Sequence, residues 1–164
     1  MIIISDATVL VNFALVDKFY SLKQLFKHIV VPVSVYNEVY GDGNHLPGSK
    51  EIFEAKREGW VEVVRYTNNV FYNRQGIRHL DAGEREAVTI AYEKGNGFLL
   101  TDDGDAIRAC KMFLHLKNIT YLSTIDVCKI MNDKKIIRMN YIEMSLKLRQ
   151  LNSKYKFRYQ GRTL

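Results

Sequence analysis

Short apolar runs alternate along this chain with longer stretches in which apolar residues recur every three or four positions. Ile2, Ile3 and Ile4 form the first run, and Ser5-Asp6-Ala7-Thr8 follows at once. The pattern predicts a buried strand that ends at Asp6, then a short helix to residue 15 with Val9, Leu10 and Phe13 on one side. Leu22, Leu25, Phe26 and Ile29 keep the spacing of a single helical face, so a second helix is expected over 18–28, opened by Asp17. Ile29-Val30-Val31 reads as a second strand. Pro32 fits the first position of a third helix, where a missing N–H is no loss, and Gly41-Asp42-Gly43-Asn44 stops it.

The later half repeats the alternation. A helix is expected over 46–59 and a strand over 60–64, then a polar stretch over 67–79 that reads as a loop with one helical turn. Asp81-Ala82-Gly83-Glu84 opens the clearest helix, because Asp81 caps it and Glu84 at the third position reaches back; Gly95 ends it. Gly97-Phe98-Leu99-Leu100-Thr101 is a buried strand with Asp102-Asp103-Gly104-Asp105 at its end. A helix to about residue 114, a strand over 120–122, a helix capped by Ser123-Thr124 and a last helix over 140–151 complete the chain. Strands alternating with helices predict an α/β fold, a parallel sheet of four or five strands between two helical layers. In such sheets chemistry sits beyond the carboxyl ends of the strands.

Composition narrows the picture. At 164 residues, 47% hydrophobic and 26% charged, the chain reads as one soluble globular unit. Cys110 and Cys128 stand in no CxxC or Cys/His cluster, so neither a zinc site nor a disulfide is indicated and both read as buried fillers. No basic leader opens the chain and no apolar run approaches a membrane span, which makes a cytoplasmic protein with no membrane partner the expectation. The net charge of +6 is uneven: residues 134–164 hold nine Lys/Arg and one acid, Glu143, so they carry +8 and residues 1–133 carry −2. The chain therefore divides into an acidic body, 1–133, and a basic helix and tail, 134–164, of the same domain. A basic tail attracts polyanions, of which nucleic acid is the commonest, or is simply solvated.

Acids recur at strand ends and helix starts: Asp6, the Asp81/Glu84 pair, and Asp102, Asp103 and Asp105. Glu38, between Val35 and Val39, is a further candidate. Each has a plain alternative as a helix cap or a solvent-facing side chain. Together they would repel unless a cation neutralised them, and oxygen-only ligation suits Mg²⁺ or Mn²⁺ rather than Zn²⁺.

The order Asp6-Ala7-Thr8-x-Leu10-Val11-Asn12, then Val31-Pro32-x-Ser34-Val35-x-x-Glu38, then Leu80-Asp81-x-Gly83-Glu84-x-Glu86-Ala87, then Leu99-Leu100-Thr101-Asp102-Asp103-x-Asp105-Ala106 resembles the PIN domain. It is closest in pattern to prokaryotic PIN-like proteins near the VapC-type toxin ribonucleases, over about residues 1–130. The resemblance implies a PIN-like three-layer fold and metal-dependent cleavage of single-stranded RNA, commonly by a homodimer, with an antitoxin protein as a further partner. It carries Asp6, Glu38, Glu84 and Asp103 into the catalytic positions, and the same four with Asp102 and Asp105 into metal binding. Thr8, Asn12, Ser34 and Thr101 take supporting places. The run of three acids at 102–105 is richer than the usual pattern and leaves open which of them is the fourth ligand.

Arg108 and Lys111, near that run, and Lys154, Lys156 and Arg158 in the tail are candidate RNA contacts. Tyr155, Phe157 and Tyr159 interleave with the tail cations, which suits stacking on unpaired bases or an amphipathic strand docked on the body. The alternative function is a catalytically inactive PIN domain that binds RNA or a protein. A haloacid-dehalogenase reading is disfavoured because Thr8 stands where a second Asp is needed. A receiver-like reading lacks its Lys after the late strand.

Overall fold

The computed structural model describes residues 1–41 and 47–155, with Leu116 and 152–155 described by backbone alone. The order is β1 (Ile2–Ser5), α1 (Ala7–Leu15), α2 (Phe19–Phe26), β2 (Ile29–Pro32), α3 (Val33–Tyr40), α4 (Ser49–Arg57), β3 (Val61–Val64) and α5 (Asn69–Tyr72). Then come α6 (Ala82–Lys94), β4 (Gly97–Leu100), α7 (Gly104–Ala109), β5 (Ile119–Leu122), α8 (Thr124–Asp133) and α9 (Tyr141–Tyr155). All strand pairs are parallel and the sheet order is β3-β2-β1-β4-β5.

The central strands β2, β1 and β4 are buried on both faces, which is why they read as continuous apolar runs, whereas the edge strands β3 and β5 expose Glu62 and Thr120. Side chains one residue apart enter opposite cores. Ile3, Ile29, Val31 and Leu100 pack with α1, α2, α3, α4, α8 and α9. Ile4, Val30, Leu99 and Ile119 pack with α5, α6 and α7. This is the three-layer α/β arrangement the alternation predicts. Both cysteines are buried and free, and burial pushes each thiol up to about 11. Among the described residues no helix is long and apolar enough to cross a membrane.

Several local expectations need correction. Asp17 does not open α2. It closes α1, in a left-handed conformation at φ 57, where its N–H donates to the Ala14 carbonyl and the Lys18 N–H to that of Phe13. This is the double bond of a helix-terminating turn, in which Asp takes the place usually held by Gly or Asn. Pro32 is the last residue of β2 and the N-cap of α3 rather than its first helical residue. The helix expected over 46–59 is shorter, and the stretch expected as a loop with one turn holds both α5 and a 3₁₀ turn, Gln75–Ile77. The helix after β4 stays α-helical only to Ala109, then widens into a π turn over Cys110–Leu114 and tightens into a 3₁₀ turn over His115–Lys117. Gly41 caps α3, while Asp42, Gly43 and Asn44 of the predicted stop lie outside the described residues.

The last helix runs through Tyr155, beyond the expected 151, so Tyr155 is helical rather than part of a docked strand. Phe157 and Tyr159 fall outside the described residues. α9 packs on α1 and α8, with Met144 and Leu148 fully buried.

Candidate active site

The chain leaves β1 for β2 on one side and returns through β4 on the other, so β1 and β4 flank the switch point of the sheet. Their carboxyl ends release two acidic segments side by side. The Asp6 N–H donates to the Leu100 carbonyl at 3.0 Å, and the Thr101 N–H to that of Leu122 at 3.0 Å. Asp6 caps α1, its Oδ1 accepting from the Val9 N–H at 3.1 Å. Its side chain is buried, with Oδ2 left without a hydrogen-bond partner. Burial is the chief reason its carboxyl is pushed up to about 8. The neighbouring Thr101 hydroxyl eases the rise without meeting hydrogen-bond geometry, and Asp102 and Asp103 add to it.

Thr101 shapes the next turn. Its buried hydroxyl accepts from the Asp103 N–H at 3.1 Å, and Asp103 Oδ1 in turn accepts from the N–H groups of Asp105 and Ala106 at 2.7 and 2.8 Å, capping α7. Across the mouth, α6 opens with a full capping box. The Glu84 N–H donates to Asp81 Oδ1 at 2.8 Å, and the Asp81 N–H to Glu84 Oε2 at 3.4 Å. Glu84 is nevertheless more than a cap. Burial, then the charges of Asp81, Asp103 and Asp6, push its carboxyl up to about 8. Asp6, Glu84 and Asp103 thus share one electrostatic environment.

Glu38 approaches from α3. Its side chain is exposed over much of its length, but the carboxyl end lies against α6, and desolvation followed by the Asp81 charge raises its pKa. A Cβ built on Gly83 would lie 3.5 Å from Glu38 Oε2 and 3.6 Å from Asp81 Oδ1, so the bare glycine leaves a gap between two carboxylates.

The other sequence candidates are placed differently. Asp102 points toward α8: its Oδ1 accepts from the Thr124 N–H at 2.9 Å and its Oδ2 from the Thr124 hydroxyl and, at 3.0 Å, from Asn12 Nδ2. Burial raises its pKa against those bonds. Asp105 pairs with Arg108, with His79 Nε2 3.8 Å away. Asn12 supports Asp102 rather than Asp6, and Ser34 contributes its backbone N–H, which donates to Glu86 Oε2 at 3.1 Å. Thr8 is half-buried in the first turn of α1. Arg108 and Lys111 are exposed, and Lys111 lies 5.6 Å from the centre of the Tyr121 ring. Lys154 lies in α9, and Lys156 and Arg158 fall outside the described residues.

Sequence reasoning underweighted three residues. Asp81 was legible as a cap but not as the charge that acts on both glutamates. Thr124 and Glu86 act through contacts 22 and 52 residues away along the chain, and no local pattern marks those.

Among the described residues, no three His, Cys, Asp or Glu side chains stand close enough together to hold a metal ion. Asp6, Asp81, Glu84 and Asp103 each spend a carboxylate oxygen on a helix cap instead. The donor set still fits a hard divalent cation: it is all oxygen, Asp6 Oδ2 is buried and unpartnered, and Gly83 keeps a gap beside Glu38 and Asp81.

Fold and mouth together define a three-layer α/β protein whose acids gather at the switch point of a parallel sheet. A PIN domain family model matches residues 2–164. The chain belongs to that family, whose members are nuclease-type modules. The match runs on through the basic region beyond residue 133. No curated protein and no solved structure matches the chain.

Proposed function

We propose that the chain is a Mg²⁺- or Mn²⁺-dependent endoribonuclease that hydrolyses phosphodiesters of single-stranded RNA. The observation that carries this reading is the Asp6 carboxyl: buried at the end of the central strand, pushed up to about 8 by burial and by the charges of Asp102 and Asp103, with one oxygen unpartnered and its own charge acting in turn on Glu84. A protein gains nothing in stability from burying Asp6 beside the partly buried carboxyls of Glu84 and Asp103, so the arrangement is explained by a cation that neutralises them.

Asp6, Glu84, Asp103 and Glu38 are the residues that would hold the ion. Bound there, a divalent cation activates water and offsets charge that develops on the phosphate. Thr101 fixes the turn that aims Asp103, and Asp102 anchors that turn to α1 and α8. The capping bonds of Asp6 and Asp103 each use only Oδ1, leaving Oδ2 of both free of capping duty. Arg108 at the rim and the basic residues beyond 133 hold the RNA backbone. Action as the toxin of a toxin–antitoxin pair, as a homodimer, belongs to the same reading.

The test is cleavage of end-labelled single-stranded RNA by the full chain. Cleavage with Mn²⁺ that stops with chelator and in Asp6→Asn supports the reading. Cleavage indifferent to both overturns the metal–carboxylate mechanism. No cleavage under any metal, with RNA still bound, favours the inactive RNA-binding alternative.

A further inference from the structure

We infer that Gly83 and Glu86 of α6 are positioning residues that set the Glu38 carboxylate at the acidic mouth. The inference rests on the metal-binding reading above. α3 begins in a way that leaves its first amides short of acceptors, because its N-cap is Pro32, which has no side-chain oxygen. The missing acceptor comes from another helix. Glu86 Oε2 accepts the Ser34 N–H at 3.1 Å, which satisfies a first-turn donor and places negative charge at the positive end of α3.

The second contact lies one turn back on α6 and one turn on along α3. Gly83 is buried, and a Cβ there would come within 3.0 Å of Val35 Cγ2 and 3.5 Å of Glu38 Oε2. Glycine in a helix is disfavoured by about 0.5–1 kcal/mol against alanine, so its use here is accounted for by the close approach of Val35, whose displacement would carry the Glu38 face of α3 with it, rather than by local preference. Ser34 meets Glu86, and Val35 and Glu38 lie over Gly83, so these contacts run in antiparallel order along the two helices. Val35, Tyr36 and Val39 anchor α3 in the core, and these two contacts set how closely its Glu38 face meets α6. Glu38 follows Ser34 by one helical turn and Glu84 follows Gly83 by one residue. The same two contacts therefore set the spacing between the glutamates.

The experiment measures Mn²⁺ binding to the full chain by calorimetry, with the metal-free melting temperature recorded for each variant. The parent, Asp6→Asn, Glu38→Gln, Gly83→Ala, Glu86→Ala and Glu86→Gln are compared, and Gly83→Ala and Glu86→Ala are repeated in the Glu38→Gln background. Outer contacts of this kind change metal affinity by about 10- to 100-fold, so Gly83→Ala and Glu86→Ala are expected to weaken Mn²⁺ by at least about tenfold. Glu86→Gln keeps an acceptor for Ser34 and is expected to stay near the parent. In the Glu38→Gln background the further losses should shrink to little, because the effect passes through Glu38.

Parent-like Mn²⁺ affinity in Gly83→Ala and Glu86→Ala overturns the inference alone, as do losses undiminished in the Glu38→Gln background. A parent that binds no Mn²⁺, or an Asp6→Asn variant that binds like the parent, overturns the metal-binding reading and the inference with it. Should Glu86→Ala fail to fold, Gly83→Ala in the two backgrounds decides alone.

Discussion

Asp6 shows what a buried carboxyl does to a protein. Its folded pKa of about 8 and that of Glu84, also about 8, lie far above the ordinary values of 3.8 and 4.5. The unfolded chain therefore releases these protons first. Their contribution to stability is full below about pH 4 and is lost as pH rises toward 8. Metal-free protein should melt at progressively lower temperature between pH 5 and pH 8, and Asp6→Asn should flatten that slope. At pH 8 the same substitution should raise unfolding stability by on the order of 2–4 kcal/mol in a urea titration, while it removes RNA cleavage. A variant that gains stability as it loses function is the signature of a charge buried for chemistry. Asp102 and Asp103, adjacent in sequence, should separate in the opposite sense. Asp102→Ala leaves the Thr124 N–H without its acceptor and Asn12 Nδ2 with the Thr124 hydroxyl alone, and should lower stability by about 1–3 kcal/mol. Asp103→Asn can still cap α7 and should fold like the parent but bind Mn²⁺ more weakly.

Among the elements, α6 was the most legible, and the stretch over 67–79 and the end of the helix after β4 the least. Asp81 and Glu84 announce a capping box, and both of its bonds form. Apolar spacing also located α1 and α2, and the Ser123 cap located α8; α1 proves buried on nearly every side, from Val9 to Phe13. The misjudged boundaries have specific causes. Asp17 looks like a cap and is used as a left-handed terminator. The widened turn at Cys110–Leu114 leaves no mark on the apolar spacing. Pro32 stands one place ahead of the first helical residue of α3, as its N-cap, and Glu86 of α6 supplies the acceptor that a proline cap lacks. α9 is part of the body through its inner face: Leu148, fully buried against it, should cost about 2–5 kcal/mol when replaced by alanine, read from the urea midpoint. A change near zero would mean that the helix is only loosely attached.

At the scale of the molecule, the asymmetry of charge gives a division of labour. The carboxylates gather at one mouth, while Lys147 and Arg149 are exposed on α9, whose Met144 and Leu148 face inward. Residues 156–164 add Lys156, Arg158 and Arg162. If these hold the backbone of single-stranded RNA, deleting 156–164 should lower the slope of log affinity against log salt by about 2, since each phosphate contact on single strands contributes about 0.7. Fluorescence anisotropy with a labelled oligonucleotide across a salt series reads this directly. An unchanged slope would place the RNA contacts elsewhere on the chain.

Sequence by itself determined the alternation of strands and helices, the parallel sheet, the acids at strand ends and helix starts, and the membership of a family known by those acids. These depend on local periodicity and on residue types at a few spaced positions, which survive in one dimension. Tertiary structure alone decided which acids meet. Adjacent residues part company because Thr124 and Asn12 draw Asp102 aside while Thr101 turns Asp103 into the α7 cap. Glu38 lies beside α6, over Gly83, while Glu86 of the same helix accepts the Ser34 N–H of α3. Contacts between residues far apart in the chain come from packing, and no spacing rule along the sequence encodes them.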